Sequence, residues 1–470
     1  MSTTAGSQRG IPFMPLIIAS LLCAVQLLLT FPGQLLVDSE EALRQALSHH
    51  YEDWHPPVMA LVWGYLIEIS GTRGALLVLH QGLHWLGFGL IADGCYRANM
   101  VRKAWIILAA GAFPLFLIYG KILLKDVGMA SAFVAAFGLI FWFLIQNRAI
   151  PWWACILSGV CLLYAGLIRT NAAFALGPLV YIYVTRGRQF DLAKIIGCSV
   201  VVAAIAIPLS GLINHRLIGA KPQDPLQSLR IFDLMGIAVH ARDTRVWGEN
   251  SPELSSIDPC YTSIEWDTFS PWGRCAHIRG QFGASPDINT IDQDRVRQRG
   301  QLWRSAVLRH PLEYAAHRLS HFNSSIYFLV PSLHLRYAQG SGFNFTERDI
   351  RLDYLKRTFL LWPVFWLAIG LCGTVLLEAR TELTAAVAIG KSLMMSGLLY
   401  SGAYLLFGVA TDYRYHYWSI MAILLGAILA ADEFSKSYIK RPWRGGLAAA
   451  LVLAVIVGGY AVRIADVRPF

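Results

Sequence analysis

Acidic and imidazole side chains gather in a polar stretch that follows the first long apolar run of the chain. Asp38, Glu40, Asp53 and His55 lie within fewer than twenty residues of one another. Ionisable groups at a membrane boundary are costly and commonly mark functional sites. A carboxylate beside an apolar rim has a raised pKa and can act as a general base. We therefore expect chemistry at this cluster, with a carboxylate as a candidate general base and His55 as a candidate contact for a substrate or a metal ion. A solvated loop whose charges keep it out of lipid is the alternative.

The pattern within this stretch predicts its local structure. If the chain is extended at Asp38, the side chains of Asp38 and Glu40 point the same way. Over residues 40–50 the apolar spacing predicts a short helix lying flat on the bilayer. The step His55-Pro56-Pro57 predicts a rigid helix start, because proline restricts the preceding residue and suits the first helical turn.

Two further polar turns carry groups suited to a phosphate. In the first, Lys125 can neutralise a phosphate, while the adjacent Asp126 can orient an acceptor or hold a divalent cation. In the second, Arg169 suits bidentate phosphate recognition and Asn171 is a candidate sugar-binding residue. Snorkelling of the cations to lipid headgroups is the alternative, and it explains Asp126 poorly.

Another turn, near the C-terminus, combines charges with aromatic rings. It reads Asp-Tyr-Arg-Tyr-His-Tyr-Trp from Asp412. Aromatic rings with interspersed polar groups suit a sugar, so Asp412, Arg414 and Tyr415 could line a sugar-binding cavity. The alternative is an interfacial aromatic belt in which Asp412 and Arg414 simply pair.

The composition is that of a membrane protein. Of the 470 residues, 55% are hydrophobic and 15% are charged, whereas soluble domains carry about 25% charged residues. Apolar runs long enough to cross a hydrocarbon core of about 30 Å recur along the chain. The net charge of +10 does not indicate nucleic-acid binding, because the basic residues gather in short connections typical of cytoplasmic loops.

Placing those basic connections in the cytoplasm predicts a topology with the N-terminus inside. The predicted spans are 11–30, 74–94, 104–119, 127–146, 151–167, 171–185, 195–212, 357–377, 384–409, 416–431 and 446–461. These eleven spans put all four polar turns together on the outer side. We expect the first run to be an anchor, because no small-residue cleavage motif follows it. Residues 57–70 are short for a span, and we predict an interfacial or re-entrant helix there.

The expected organisation has three parts. Residues 1–212 form a transmembrane catalytic module with outer loops at 32–73 and 119–127, residues 213–355 form an outer soluble domain, and residues 356–470 form C-terminal transmembrane helices. In the soluble domain, an oxidising outer compartment favours a disulfide between Cys260 and Cys275. A loop of that size would contribute about 3 kcal/mol to stability.

Other chemistries lack their signatures in the sequence. There is no Walker loop, no dinucleotide-binding GxGxxG and no HExxH, and the GxSxG of serine hydrolases is missing as well. Few charges fall inside the predicted spans, whereas ion-coupled transporters usually carry them near the middle of the bilayer. Chemistry at the outer membrane surface is favoured instead.

The order and common sidedness of the motifs resemble the GT-C superfamily of integral membrane glycosyltransferases. That group includes protein O-mannosyltransferases, lipid A aminoarabinose transferases and many bacterial envelope glycosyltransferases. The shared motifs are Asp38-Ser39-Glu40, His55-Pro56-Pro57, Lys125-Asp126, Arg169-x-Asn171 and Asp412-x-Arg414-Tyr415. The resemblance covers the first 185 residues or so. The insert at 213–355 and the short chain after the last span depart from the family pattern, so the acceptor is not carried over.

The resemblance implies an all-α polytopic enzyme of the bacterial cytoplasmic membrane. It would transfer a sugar, with inversion, from a polyprenyl-phosphate carrier to an envelope glycan such as O-antigen at the outer face. Asp38 would deprotonate the acceptor, and Lys125, Arg169 and Arg414 would offset the phosphate charge. The residues that would position the acceptor or a divalent cation are Glu40, Asp53, His55 and Asp126. Relatives differ in needing Mg or Mn, so a metal requirement stays open.

Two other function classes stay open at this point. A transporter or flippase for a lipid-linked glycan predicts internal symmetry and broken mid-membrane helices, and neither is visible in the sequence. An adaptor subunit would bind a partner through its outer domain, and its acidic loop would be purely structural. Alanine at Asp38 separates these classes, because only the transferase needs that carboxylate for chemistry.

Overall fold

Helices are the only regular elements in the residues that the structure describes, which confirms the predicted all-α class. The structure is a computed structural model. It describes residues 13–247, 251, 253–271, 273–277, 293–331, 358–375, 384–440 and 442–465. The predicted span 357–377 and the predicted soluble domain 213–355 lie partly outside these residues.

The first half of the chain forms a succession of apolar helices joined by short turns. They are α1 (Met14–Thr30), α2 (Val37–Ser48), α3 (Val58–Ser70), α4 (Ala75–Arg97), α5 (Val101–Gly111), α6 (Pro114–Gly120), α7 (Lys125–Leu144), α8 (Trp152–Ile168), α9 (Ala173–Thr185) and α10 (Leu192–Leu212). The predicted span 104–119 is divided into α5 and α6, which are bent by 42°. The break falls at Pro114, since proline suits a helix start and not its interior.

The second half begins with helices of an inserted segment and returns to apolar helices. They are α11 (Leu226–Ala241), α12 (Leu254–Ile257), α13 (Gln293–Arg309), α14 (Pro311–Ser325), α15 (Pro363–Val375), α16 (Ala385–Phe407), α17 (Tyr417–Lys440) and α18 (Pro442–Ala465). The helix preceding the insert continues through a π-helical turn at Ile213–Leu217.

Five helices in the described part of the chain are long and apolar enough to cross a membrane. They are Ala75–Arg97, Lys125–Leu144, Leu192–Leu217, Tyr413–Phe434 and Pro442–Ala465, and the bent pair α5–α6 would make a sixth. The other predicted spans coincide with shorter apolar helices or with α16. The chain is a multi-pass membrane protein, and fewer helices meet these criteria than the eleven spans predicted. At 57–70 the structure has the 13-residue helix α3, whose interfacial or re-entrant placement stays a prediction.

Helix α7 is the central element of the bundle because it is apolar on all sides and almost entirely buried. It packs closely against α4 where glycines allow the two backbones to approach. A Cβ at Gly87 would lie 2.5 Å from the carbonyl carbon of Val134, and one at Gly138 would lie 2.8 Å from the carbonyl oxygen of Gly87. This contact fixes the position of α7, whose first residues are Lys125 and Asp126.

The inserted segment has an apolar cluster of its own, formed mainly by α11, α13 and the residues around a disulfide. The disulfide joins Cys260 to Cys275, whose Cα atoms are 6.0 Å apart. A buried ionic group lies beside the cluster, where Asp233 pairs with Arg318 and accepts a hydrogen bond from Trp303 at 2.7 Å. Arg318 also donates to the carbonyl of Gly408 at 2.6 Å, so the insert is attached to the end of α16.

Replacing Gly87 by alanine should destabilise the bundle by about 1–3 kcal/mol, because the added methyl meets immobile backbone. The matched control is Gly82→Ala in the same helix, where a Cβ meets nothing within 4 Å. We expect a lower apparent Tm in detergent for Gly87→Ala and an unchanged or slightly higher Tm for Gly82→Ala. Equal Tm values for the two variants would contradict this account of the α4–α7 contact.

Candidate active site

Asp38 lies in the first turn of α2, at one end of the helix bundle. Its position is set by the segment that precedes α7. The hydroxyl of Ser39 donates to the carbonyl of Leu123 at 2.6 Å, and Gln34 forms a short backbone bridge with Ile122. The first polar loop is therefore held against the start of α7, which brings Asp38 beside Lys125.

Three cationic or imidazole groups surround the Asp38 carboxylate. It lies 2.8 Å from Arg414, 3.6 Å from the Lys125 Nζ and 3.6 Å from His55 Nε2. The Asp38 side chain keeps 27% of its exposure, whereas that of Lys125 keeps 5%. The carboxylate is thus reachable by a ligand, while the lysine is enclosed behind it. The polar turns predicted to share one side of the membrane do converge.

A raised pKa was expected for a carboxylate at an apolar rim, and this expectation is wrong for Asp38. Burial alone would raise its pKa, but the charges of Arg414 and Lys125 hold the pKa well below its usual range. Burial and the neighbouring Lys125 lower the pKa of His55, so this imidazole is neutral at neutral pH. Asp38 is therefore ionised at neutral pH.

A second layer of ion pairs lies directly behind Asp38. Arg414 pairs with Asp412 at 2.7 Å and reaches Asp126 at 3.8 Å, while Arg169 pairs with Asp126 at 3.1 Å. These groups and Asp38 with Lys125 are called the charge cluster below. It contains three cations (Lys125, Arg169, Arg414) and three carboxylates (Asp38, Asp126, Asp412), so its formal charge is 3 − 3 = 0.

Aromatic rings support the charge cluster from one side. Arg169 lies over the ring of Tyr415, 4.8 Å from its centroid, and donates to the hydroxyl of Tyr404 at 3.0 Å. The rings of Tyr404 and Tyr415 are stacked, 5.1 Å apart and inclined by 11°. Arg169 is therefore committed to Asp126 and these two tyrosines, one layer behind Asp38. Its predicted contact with the donor phosphate, like the sugar contact of Tyr415, stays a prediction.

Lys125 is the group in the site best placed to receive a new anion. Its ammonium is buried and forms no hydrogen bond with the residues that the structure describes, because Asp38 at 3.6 Å is too distant. It lines a pocket together with Asp38, Glu41 and His55. A buried ammonium with unused donors is costly, and a phosphate oxygen in this pocket would satisfy it.

Glu40 does not join the charge cluster. The expectation that Glu40 points the same way as Asp38 assumed an extended chain, and it is wrong. Both residues lie in the first turn of the helix Val37–Ser48. Residues two apart in a helix face different directions, so Asp38 turns inward and Glu40 is exposed.

Asp53 and Asn171 are also apart from the Asp38 carboxylate. Asp53 lies 3.4 Å from His215 and accepts the backbone N–H of Gln223, which ties the first loop to the start of the insert. Asn171 lies in the turn Thr170–Ala172, and no side-chain partner for it occurs within the described ranges. The predicted roles of these residues remain predictions.

A metal site is not evident in the described part of the chain. No three His, Cys, Asp or Glu side chains in it converge closely enough to hold a metal ion. The two carboxylates of the site that could contribute oxygen ligands, Asp38 and Asp126, are already paired with Arg414 and Arg169. The described residues thus present no Mg or Mn site, and a divalent-cation requirement stays a prediction.

Two carboxyls that the sequence motifs do not single out, Glu265 and Asp267, approach the same place. Burial raises the pKa of Glu265 to about 7, and burial together with the Asp38 charge raises that of Asp267 to about 6. Between them, Trp266 donates its backbone N–H to the carbonyl of Val409 at 2.8 Å. An acidic-aromatic triplet midway between two cysteines was the signal available in the sequence.

Comparisons with known proteins give one solved structure and no family. No protein-family model matches the chain, and no curated protein matches it. The chain is similar to ArnT from Cupriavidus metallidurans bound to undecaprenyl phosphate, with 14% identity over 91% of this chain and 78% of that chain, and with a TM-score of 0.31. A TM-score of this size does not establish a common fold, so the proposals below rest on the geometry of the site.

The carboxyls of Glu265 and Asp267 predict a measurable pH dependence of stability. Because their folded-state pKa values, about 7 and about 6, lie above those of an unfolded chain, their contribution to stability is complete below about pH 4. That contribution is lost progressively as the pH rises from about 4 through the folded-state pKa values of about 6 and 7. The contribution of Asp38 to stability has the opposite pH dependence. Because its folded-state pKa is lowered, that contribution is present at neutral pH and is lost only as the pH falls into the acidic range.

We therefore expect the double variant Glu265→Gln/Asp267→Asn to have a higher Tm than the wild type at pH 8, with the difference shrinking toward pH 5. The Tm in detergent over this pH range measures it. The control is Asp258→Asn, which removes an exposed carboxylate paired with Arg242. Parallel curves for wild type and double variant would show that these two carboxyls do not titrate as stated.

Proposed function

We propose that this protein is an inverting glycosyltransferase that moves a sugar from a polyprenyl-phosphate carrier to a cell-envelope acceptor. The acceptor would be a polysaccharide such as O-antigen or another surface glycan, at the outer face of the cytoplasmic membrane. The observation that carries the proposal is the surroundings of Asp38. One accessible carboxylate faces an arginine, an enclosed lysine and a neutral imidazole where the membrane helix α7 begins.

Lys125 and Arg414 would bind the donor phosphate. A guanidinium binds phosphate through two parallel hydrogen bonds, and an ammonium contributes a compact charge. Both cations now face Asp38, so the phosphate would take over charges that hold the Asp38 pKa low. The pKa of Asp38 would then rise, and its carboxylate would become a more effective base when the donor is present.

The transfer step follows from this arrangement. Asp38 removes the proton from an acceptor hydroxyl, and the oxygen attacks the anomeric carbon on the face opposite the phosphate. The bond from that carbon to the phosphate oxygen breaks, and the electron pair leaves with the polyprenyl phosphate. Lys125 and Arg414 stabilise the charge that develops on the leaving phosphate. A single displacement inverts the configuration at the anomeric carbon.

Charge is conserved within the site during the transfer. The charge cluster is neutral by the count given above, so a donor with one phosphate charge makes the site negative. As the acceptor proton moves to Asp38, the cluster becomes more positive by one charge while the leaving phosphate becomes more negative by one, and Lys125 and Arg414 offset that added charge. Asp126 and Asp412 keep the arginines in position.

The variant Asp38→Asn should lose sugar transfer by about 100- to 10,000-fold, because it removes the general base. It should bind polyprenyl phosphate at least as tightly as the wild type, because the amide no longer competes for Lys125 and Arg414. The measurements are transfer of labelled sugar from a panel of polyprenyl-phosphate hexoses and pentoses into an envelope extract, and binding of polyprenyl phosphate in detergent.

The matched control for this base is Glu40→Gln, which changes an exposed carboxylate in the same helical turn. It should retain transfer within about twofold, since a surface charge outside the cluster is screened. Transfer by Asp38→Asn at the wild-type rate would refute the assignment of the base. Loss of transfer in Glu40→Gln alone would place the chemistry on the exposed face of α2.

Lys125→Met should weaken binding of polyprenyl phosphate by about ten- to a hundredfold, because a charge-assisted hydrogen bond is worth about 1.5–3 kcal/mol. The control is Lys121→Met, since Lys121 precedes α7 and has no ion-pair partner within the described residues. Binding curves measured at two salt concentrations report the charge contribution. Equal affinities for the two variants would remove Lys125 from the donor site.

A further inference from the structure

The insert contributes a closed loop to the active-site end of the bundle. We call it the disulfide loop, residues 260–275, after the bond between Cys260 and Cys275. His321 donates to the carbonyl of Ser263 at 2.8 Å, which attaches the loop to α14. The bond and this contact restrict the loop at three points, so its middle residues have a defined position.

The middle of the disulfide loop lies against two segments of the active site. The backbone N–H of Trp266 donates to the carbonyl of Val409, three residues before Asp412. The ring of Trp266 lies 5.8 Å from the ring of Trp54, the residue before His55. The loop therefore contacts both the segment before His55 and the segment before Asp412.

Glu265 and Asp267 flank Trp266 and lie near the charge cluster. The charges of Asp38 and Arg414 act on the pKa of Asp267, and the charge of Asp412 acts on the pKa of Glu265. Both side chains are half-buried, and neither forms an ion pair or a side-chain hydrogen bond with the residues that the structure describes. The charge cluster does not use them, yet they lie beside the proposed base.

We propose that the disulfide loop is the acceptor wall of this site and that Glu265 and Asp267 hold hydroxyl groups of an uncharged carbohydrate acceptor beside Asp38. This proposal rests on the proposed function and extends it to the chemistry of the acceptor. The loop supplies binding groups, whereas the base and the phosphate-binding cations come from the membrane helices and the first polar loop.

The chemistry of the wall favours an uncharged acceptor. Glu265 and Asp267 add two carboxyl groups without an ion-pair partner in the described residues to a charge cluster that is neutral by count, so in their ionised form they would repel a phosphorylated or carboxylated glycan. A carboxyl that is partly protonated near neutral pH both donates and accepts hydrogen bonds, as does a sugar hydroxyl. Sugar rings also present apolar C–H faces, which pack well on the amphipathic surface of an indole such as Trp54.

The test separates acceptor binding from donor chemistry. Purified full-length protein is given one active polyprenyl-phosphate sugar, and two rates are measured: hydrolysis of the donor by water, and transfer to a neutral envelope polysaccharide. Asp267→Asn and Glu265→Gln should each raise the acceptor KM about three- to tenfold, the value of one hydrogen bond. The rate of donor hydrolysis should stay within about twofold of the wild-type rate, because water does not depend on Glu265 and Asp267 for binding. Asp258→Asn is the matched control from the same insert.

Each outcome has one meaning. A shift of products from transfer toward hydrolysis in both variants, with wild-type behaviour of the control, supports the proposal. An unchanged ratio of transfer to hydrolysis in both variants overturns the acceptor-wall proposal but leaves the proposed transferase function intact. The same conclusion follows if the wild type transfers sugar better to a uronate-containing polysaccharide than to the neutral one. If the wild type neither hydrolyses nor transfers any donor in the panel, the proposed function fails and the acceptor wall fails with it. A Tm at or above that of wild type shows that the variants are folded.

Discussion

The charge of Arg414, enclosed at the end of a membrane bundle, is the constraint on which the rest of the site depends. An enclosed guanidinium must be paired, since an isolated buried charge is severely destabilising. Its partners are Asp38, Asp126 and Asp412. These carboxylates come from the first polar loop, the start of α7 and the turn before α17. Pairing one arginine therefore requires three distant parts of the chain to meet.

The packing of the apolar helices makes that meeting possible. α7 is buried on all sides and approaches α4 through Gly87 and Gly138, so Lys125 and Asp126 have little freedom. The bond from Ser39 to the carbonyl of Leu123 then places α2 against the same end of the bundle. Apolar packing thus supplies the rigidity, and the polar groups at its end supply the chemistry.

The charges of this site balance one another, and a bound phosphate would add a negative charge. Its carboxylates hold the cations in place, and in the proposed reaction they would compete with the donor phosphate for them. The lowered pKa of Asp38 is a consequence of its pairing with Arg414 and Lys125. In the proposed reaction this pairing would link donor binding to the appearance of a competent base, because a phosphate bound by these cations would weaken their effect on Asp38. The ammonium of Lys125 is also incompletely satisfied, because it is buried and forms no hydrogen bond with the described residues.

The sequence alone was sufficient for the all-α membrane class and for the gathering of the polar turns that contain Asp38, Lys125 and Arg414 at one end of the bundle. These features depend on hydropathy and charge within single segments, which a linear pattern records. The partners of each charge are different, because a side chain selects them across the whole chain. Only the tertiary structure showed that Glu40 is exposed, that Asp53 contacts the start of the insert and that Glu265 and Asp267 lie near the site. It also lowered the pKa of Asp38, since that value depends on cations more than eighty residues away in sequence.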